Sequence, residues 1–215
     1  NVPASPSPRP AWTPSPAQTP GAIWQEQATA FLSKAQHDLF YTLPGQEMLN
    51  WLFAQKGLSD QTIKAAGLGL NLIDRFDDRQ TWGLPPANGP NGAIKKQWLP
   101  AGLVIPLRRN GEVQRLRIRR PEGEPRYVVV SGSCMAPLVL SSDRAAAIVV
   151  ESELDALLIE QEAGNLVSAV ALGSASARPD RVTHKLLTGK ARLLVALDTD
   201  EAGATSAWQF WPNTY

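Results

Sequence analysis

The chain has 215 residues, 43% hydrophobic and 19% charged, enough apolar material for one or two packed domains, which excludes a disordered or low-complexity chain. Its 21 Lys+Arg against 20 Asp+Glu leave a formal net charge of +1, so any nucleic-acid role has to rest on local segregation of charge. A single cysteine, Cys134, rules out an intrachain disulfide, and with only His37 and His184 beside it no structural zinc site is expected. A cytoplasmic location is therefore expected. No run approaches the ~18 apolar residues of a membrane span, and no basic stretch leads into an apolar core as in a signal peptide, so no membrane partner is expected. Beginning at Asn1, the chain reads as a fragment.

Residues 1–22 hold seven of the 18 prolines, interleaved with Ser, Thr and Ala. Such a segment lacks the donors and side chains to build a core and reads as an extended linker or arm. From residue 23 to 71 the apolar spacing is helical, with Gly57 as a C-cap of one helix and Ser59 or Asp60 as the N-cap of the next. A turn-rich stretch, DDRQTWGLPPANGPNG, follows. LVIPLRR and VQRLRIRR then flank Asn110-Gly111, a dipeptide that accepts positive φ at both central turn positions, which predicts a β-hairpin. YVVVSG reads as a further strand.

After about residue 142 short apolar strands alternate with helices. AAAIVV, LVSAVALG and ARLLVALD read as strands; ELDALLIEQEAG, RPDRVTHKLLTG and EAGATSAWQFW read as helices, the first two ended by Gly164 and Gly189. This alternation predicts crossovers and a parallel, helix-covered sheet, whose site lies beyond the C-terminal strand ends.

Two of those strand ends are acidic. The first strand runs into Glu151, and the third into Asp198 and Asp200, with 47 residues from Glu151 to Asp198. Parallel strands bring both ends to one sheet edge, where Asp198 and Asp200 could face a hard cation such as Mg²⁺ or Mn²⁺. Taken singly, Glu153, Asp155 or Glu201 would be ordinary residues of a first helical turn, favoured by the helix dipole and the unpaired amides. Glu151 and Asp198 together are easier to understand with a cation among them, because close carboxylates repel.

Residues 108–126 hold seven arginines against Glu112, Glu122 and Glu124, a local balance of +4. Arg115, Arg117 and Arg119 share the two-residue period of a strand, which places them on one face with Leu116 and Ile118 on the other. That face reads as a track for a nucleic-acid backbone or nucleoside triphosphates, joined by Arg120 and extended by Lys95 and Lys96, although a solvated strand face would also be charged. Of the seven tryptophans, Trp24, Trp51, Trp208 and Trp211 fall in helical packing patterns, whereas Trp82 and Trp98 are less constrained.

VVESELDALL, LVSAVALGSA and LLVALDTDEAG together resemble the TOPRIM domain, and more specifically the catalytic core of bacterial DnaG-type primases and their phage and plasmid relatives, with its EGxxDA and DxDxAG stretches. The resemblance reaches upstream through FAQKGLSDQTIKAAGLGL and GLVIPLRRNGEVQRLRIRR to PRYVVVSGS, so it spans roughly residues 48–211. It implies an α/β fold: a Rossmann-like parallel sheet with flanking helices over 142–215, cut short at its C-terminal end, preceded by a smaller mixed α/β subdomain over 23–141. It further implies Glu151 as catalytic acid/base, Asp198 and Asp200 as the metal-binding pair, joined by Glu151 and by Asp155 one turn later as ligands of one or two Mg²⁺ or Mn²⁺, and close backbone approach at Gly173 and Gly203. Ser152 stands where the pattern has glycine. The family's zinc-binding module is not represented, and the arm at 1–22 is the linker that would tether one.

The resulting expectation is a primase core that joins ribonucleotides on a single-stranded DNA template, with a replicative helicase fused or recruited. Lys96, Arg115, Arg117, Arg119 and Arg120 would guide template or nucleotide. Two alternatives stay open: another TOPRIM enzyme, nuclease-like or topoisomerase-like, whose nucleophile would have to come from Tyr41, Tyr127 or Tyr215, and a non-catalytic nucleic-acid-binding module.

Overall fold

The computed structural model of the protein describes residues 12–89, 92–198 and 210–215. Three helices open the fold: α1 (Ala22–Tyr41), α2 (Leu43–Lys56) and α3 (Asp60–Ala66). Thr42 separates the first two by capping α2, its hydroxyl accepting from the Gly45 amide, and Ser59 caps α3 through the Thr62 amide. Gly57 and Gly67, both left-handed, end α2 and α3. The helical reading of residues 23–71 fails only at its end, where Gly69–Asn71 form strand β1. Once Gly67 has stopped the helix, the next residues gain more by pairing with a sheet than by extending a 7-residue helix.

The first sheet is antiparallel and ordered β1-β4-β5-β6, with β4 Gly102–Arg109, β5 Glu112–Arg119 and β6 Tyr127–Val129. Asn110 and Gly111 take φ of 52° and 83°, the paired positive values the hairpin turn requires. A small ribbon of β2 (Arg75–Asp77) and β3 (Gln97–Leu99), with one 3-10 turn at Gln80–Trp82 between them, lies beside it. Both faces of the hairpin are covered. Val104, Val113, Leu116 and Ile118 pack on Trp24, Phe31 and Trp82. Leu103 and Ile105 pack on the opposite side with Leu39, Leu52 and Ile63. Six consecutive residues of each strand are consequently buried, Gly102–Leu107 and Val113–Ile118.

The second sheet has the order β10-β8-β9-β7. Strands β8 (Ala146–Val150), β9 (Val167–Ala171) and β10 (Arg192–Ala196) run parallel through α4 (Glu153–Ala163) and α5 (Arg181–Thr188). Strand β7, Leu138–Leu140, joins antiparallel to β9, so this sheet takes in a strand that precedes residue 142. Helix α4 covers one face, with Ala156 and Ile159 against Val150, Ala169 and Leu138. Leu187 of α5 and Trp211 cover the other, on Ala147, Val149 and Val170. The described part of the last expected helix, residues 210–214, is helical. No helix among the described residues is long and apolar enough to cross a membrane.

Helix α4 also ties the two sheets together. Leu154 and Leu157 enter the core formed by α1, α2 and α3, and Gln161 accepts from the Ser59 amide at 2.7 Å while donating to the Gly57 carbonyl at 2.9 Å. The described part of the proline-rich arm is packed rather than free. Ser15 accepts from the Arg181 amide at 2.9 Å, Ala17 sits against the α4-side core, and Trp12 meets His184 and Phe210 edge-on at 5.4 and 5.0 Å. Extended proline segments bring their own ordered backbone, so a few apolar anchors suffice to seat one on a surface.

Candidate active-site edge

Strand register brings the acidic ends together. Val150 is paired with Ala196 on one side and Ala171 on the other, so Glu151, Leu172 and Leu197 are the first residues past one sheet edge. The Gly173 amide donates to the Glu151 carbonyl at 2.8 Å and the Leu172 amide to the Val150 carbonyl at 3.1 Å, carrying the pairing beyond the strands. Glu151 is half-buried there and Asp198 is exposed. Asp200 and Gly203 lie outside the described residues.

Ser152, in the position where the resembled pattern carries glycine, is the N-cap of α4. Its hydroxyl accepts from the Asp155 amide at 3.2 Å and donates to the Asp155 carboxylate at 2.7 Å. Asp155 thus takes part in a helix cap, the ordinary reading open to it from sequence. Among the described residues no three His, Cys, Asp or Glu side chains converge on one point. The donor chemistry at the edge nevertheless suits a hard cation, since Glu151 and Asp198 supply carboxylate oxygens and the exposed position leaves room for water ligands.

The arginine face is where expectation and structure part. Arg115 and Arg117 do share a face, but it is turned inward: their side chains are 4% and 10% exposed. Both grip Glu153, itself 1% exposed, with Arg115 Nη2 at 3.0 Å from Oε1 and Arg117 Nη1 at 2.9 Å from both carboxylate oxygens. Arg115 also donates to the Ala136 carbonyl and Arg117 to the Gly173 carbonyl. The open track expected at Arg115 and Arg117 is therefore corrected to a buried charge cluster. The physical reason is that the first turn of α4, the turn at Gly173 and the segment at Ala136, not solvent, cover this face of β5. Burial pulls the Arg115 guanidinium below its ordinary range, opposed by the Glu153 charge.

Arg119, next on the same face, is half-buried with its guanidinium 4.4 Å from the centre of the Trp51 ring. Arg120, at the end of β5, lies 5.1 Å from the Trp98 ring and donates to the Pro125 carbonyl. Lys96 is exposed immediately before β3. The structure thus brings Arg117 to the acidic edge and joins Arg115 to it through Glu153, while Arg119 and Arg120 lie at and just past the C-terminal end of β5 and Lys96 outside the hairpin.

Gly173 has φ +95°, and a Cβ there would lie 2.7 Å from Arg117 Nη1. Both the backbone conformation and the guanidinium reject a side chain. Glu153 is the residue sequence reading missed: in the first turn of α4 it looks like any dipole-favoured glutamate, and only the approach of β5 shows its charge to be internal.

Neither Tyr127 nor Tyr215 resembles an activated nucleophile. Burial raises the Tyr127 phenol, which sits beneath Arg117 at 4.4 Å, and pushes Tyr215 up to about 12; Tyr215 also shares a 2.8 Å hydrogen bond with His184 Nδ1. Each shift opposes phenolate formation.

No protein-family profile and no curated protein matches the chain by sequence. Solved structures do match. A DNA primase domain from Pseudomonas aeruginosa superposes with a TM-score of 0.63 at 16% identity, over 86% of this chain and 64% of that one. The fold is that of a DnaG-type primase catalytic core. The Escherichia coli primase catalytic core gives 0.60 at 16% identity, over 87% of this chain and 64% of that one. The RNA polymerase domain of Mycobacterium tuberculosis primase DnaG gives 0.60 at 17%, over 86% and 69%. The chain spans about two thirds of the length of the primase cores it matches. In the primase-core fold, the acidic edge and the inward-facing arginines lie at the junction of the two sheets.

Proposed function

We propose that the chain is the catalytic core of a DNA primase, making short RNA primers on single-stranded DNA by metal-dependent nucleotidyl transfer. The observation that carries this reading is the register of β10, β8 and β9 within a primase-core fold, which sets Glu151 and Asp198 past the same edge, beside a turn held by Arg117. A DnaG primase catalytic domain bound to single-stranded DNA, similar at a TM-score of 0.60 and 17% identity, supports the choice of template.

Glu151, Asp198 and Asp200 would hold one or two Mg²⁺ or Mn²⁺ ions, which supply charge neutralisation for triphosphate oxygens. In the reaction the 3′-hydroxyl oxygen of one ribonucleotide bonds to the α-phosphorus of the next, pyrophosphate departs with the broken P–O bond, and Glu151 accepts the hydroxyl proton. Arg117, fixed by Glu153 and the Gly173 carbonyl, holds the turn beside Glu151 in place, so the edge is preorganised before substrate arrives. Arg119, Arg120 and Lys96 would meet the phosphate backbone away from the reacting atoms. A replicative helicase, fused or recruited, would supply the unwound template.

The test is incorporation of labelled ribonucleotides on single-stranded DNA by the full-length protein with Mg²⁺ or Mn²⁺. Short RNA products are expected, and the Asp198→Asn, Asp200→Asn variant should lose them while keeping its affinity for DNA. Products that persist in the variant would remove the metal assignment. Strand cleavage in place of synthesis would assign the site to a nuclease-like reaction.

A further inference from the structure

Over residues 12–20 the proline-rich arm has no regular structure, yet Trp12 is half-buried and Pro20 is buried just before α1. Its polar and aromatic contacts fall on one short stretch of the chain. The Ser15 carbonyl accepts from the amide of Arg181, the first residue of α5. A helix leaves its first amides without partners of its own; here the Asp180 side chain takes that of Thr183, and the arm takes that of Arg181. Trp12 meets His184 and Phe210 edge-on. The same Phe210 ring carries the Arg178 guanidinium 4.2 Å from its centre. Arm, α5, Arg178 and Phe210 thus form one clasp.

The segment so fastened begins at the acidic edge. Its first residue, Gly173, donates to the Glu151 carbonyl at 2.8 Å, and its carbonyl accepts from Arg117. Residues 173–177 read Gly-Ser-Ala-Ser-Ala, and side chains this small bury little apolar surface, so the segment's position depends on what holds its ends. Arg117 holds the inner end and the arm the outer one. Phe210, twelve residues past Asp198, links the same clasp to the chain beyond the third parallel strand. Pro14, Pro16 and Pro20 restrict the undocked arm, so seating it costs less entropy than seating a flexible chain.

We propose that the arm is a positioning strap for the candidate active site, with Trp12 acting through Phe210 and His184 to hold residues 173–181 in the arrangement in which Glu151 and Asp198 share a cation. Naming the cation rests on the primase reading; the fastening of the segment does not.

The experiment is hydrogen exchange read by mass spectrometry on the full chain and on its Trp12→Ala and Trp12→Phe forms, with and without Mn²⁺, whose bound fraction is counted by its paramagnetic resonance signal. Losing two edge-on ring contacts should raise the opening equilibrium, and so the exchange of residues 173–183, by roughly 5- to 150-fold in Trp12→Ala. Amides of β8 and β9 should exchange as in the parent. Trp12→Phe, which keeps a ring, should restore protection of the segment. Because coupling is reciprocal, bound Mn²⁺ should slow exchange of the segment in Trp12→Ala. Exchange of the segment within twofold of the parent in Trp12→Ala would overturn the proposal. So would equal acceleration throughout β8 and β9, which would make Trp12 a general stabiliser, and so would bound Mn²⁺ that leaves the segment's exchange unchanged. The primase reading fails separately: a parent that binds no Mn²⁺ and makes no RNA loses its metal assignment, while the exchange of the segment still decides whether the arm fastens it.

Discussion

Replacing Glu153 by glutamine tests whether the two halves of the fold are held together by an internal ion cluster. The substitution keeps the side chain's shape and leaves two guanidiniums, 4% and 10% exposed, facing an amide in place of a carboxylate. The three contacts at 2.9–3.0 Å lose their charge assistance, and Arg117 must share an amide whose nitrogen cannot accept. Breaking a buried pair by removing one partner costs about 3–5 kcal/mol. For a chain of this size that lowers the melting temperature by roughly 6–20 °C, at about 2–4 °C per kcal/mol. Chemical denaturation supplies the free energy and thermal melting the temperature. Lys64→Ala is the control: its ion pair with Asp60 is more than half exposed at both ends, and losing such a pair costs under about 1 kcal/mol. Arg115→Met, Arg117→Met and Glu153→Leu together should be far less destabilising than Glu153→Gln alone, since an apolar cluster leaves no charge unpaired. A Glu153→Gln protein within about 1 kcal/mol of the parent would refute the reasoning and imply that water reaches the cluster.

Gly173→Ala should destabilise by about 1–3 kcal/mol, because alanine at φ +95° is strained and its methyl meets Arg117; it should also reduce primer synthesis more than DNA binding, measured by incorporation and anisotropy. Ser152→Ala removes the α4 cap and should cost about 1 kcal/mol in thermal denaturation, while Ser152→Gly should cost only a few tenths, roughly. Tyr215 gives a pH dependence with a definite sign. Its folded value of about 12 lies above the ordinary 10.0, so its contribution is complete below pH 10 and is lost as the pH rises toward 12. Tyr215→Phe should flatten part of that alkaline fall in a denaturation series from pH 9 to 12, with Tyr127, also raised, responsible for a remainder.

Short-range chemistry is what the sequence settled. Asn110-Gly111 dictates its turn because few dipeptides tolerate positive φ twice, and the β8-α4-β9-α5-β10 alternation follows from apolar runs too short for helices between segments of helical period. Glu151 and Asp198 were legible as neighbours because parallel pairing needs no side-chain detail. Four other strands, each three residues long, were less legible: Leu138–Leu140, Gly69–Asn71, which follows directly on helical spacing, and Arg75–Asp77 and Gln97–Leu99, on either side of turn-rich sequence. Trp12 and Ser15 belong to a proline-rich arm whose composition describes an extended backbone and says nothing about the surface that receives it.

Arg115 and Arg117 mark the boundary between the two kinds of information. Their two-residue spacing determined that they share a face of β5, since alternation is a property of the strand alone. Whether that face meets water or protein depended on Glu153, 38 and 36 residues further along the chain. A charge becomes internal only when another element arrives to cover it, so the sequence by itself determined the side on which these arginines point, and tertiary packing alone decided that they hold the fold together there.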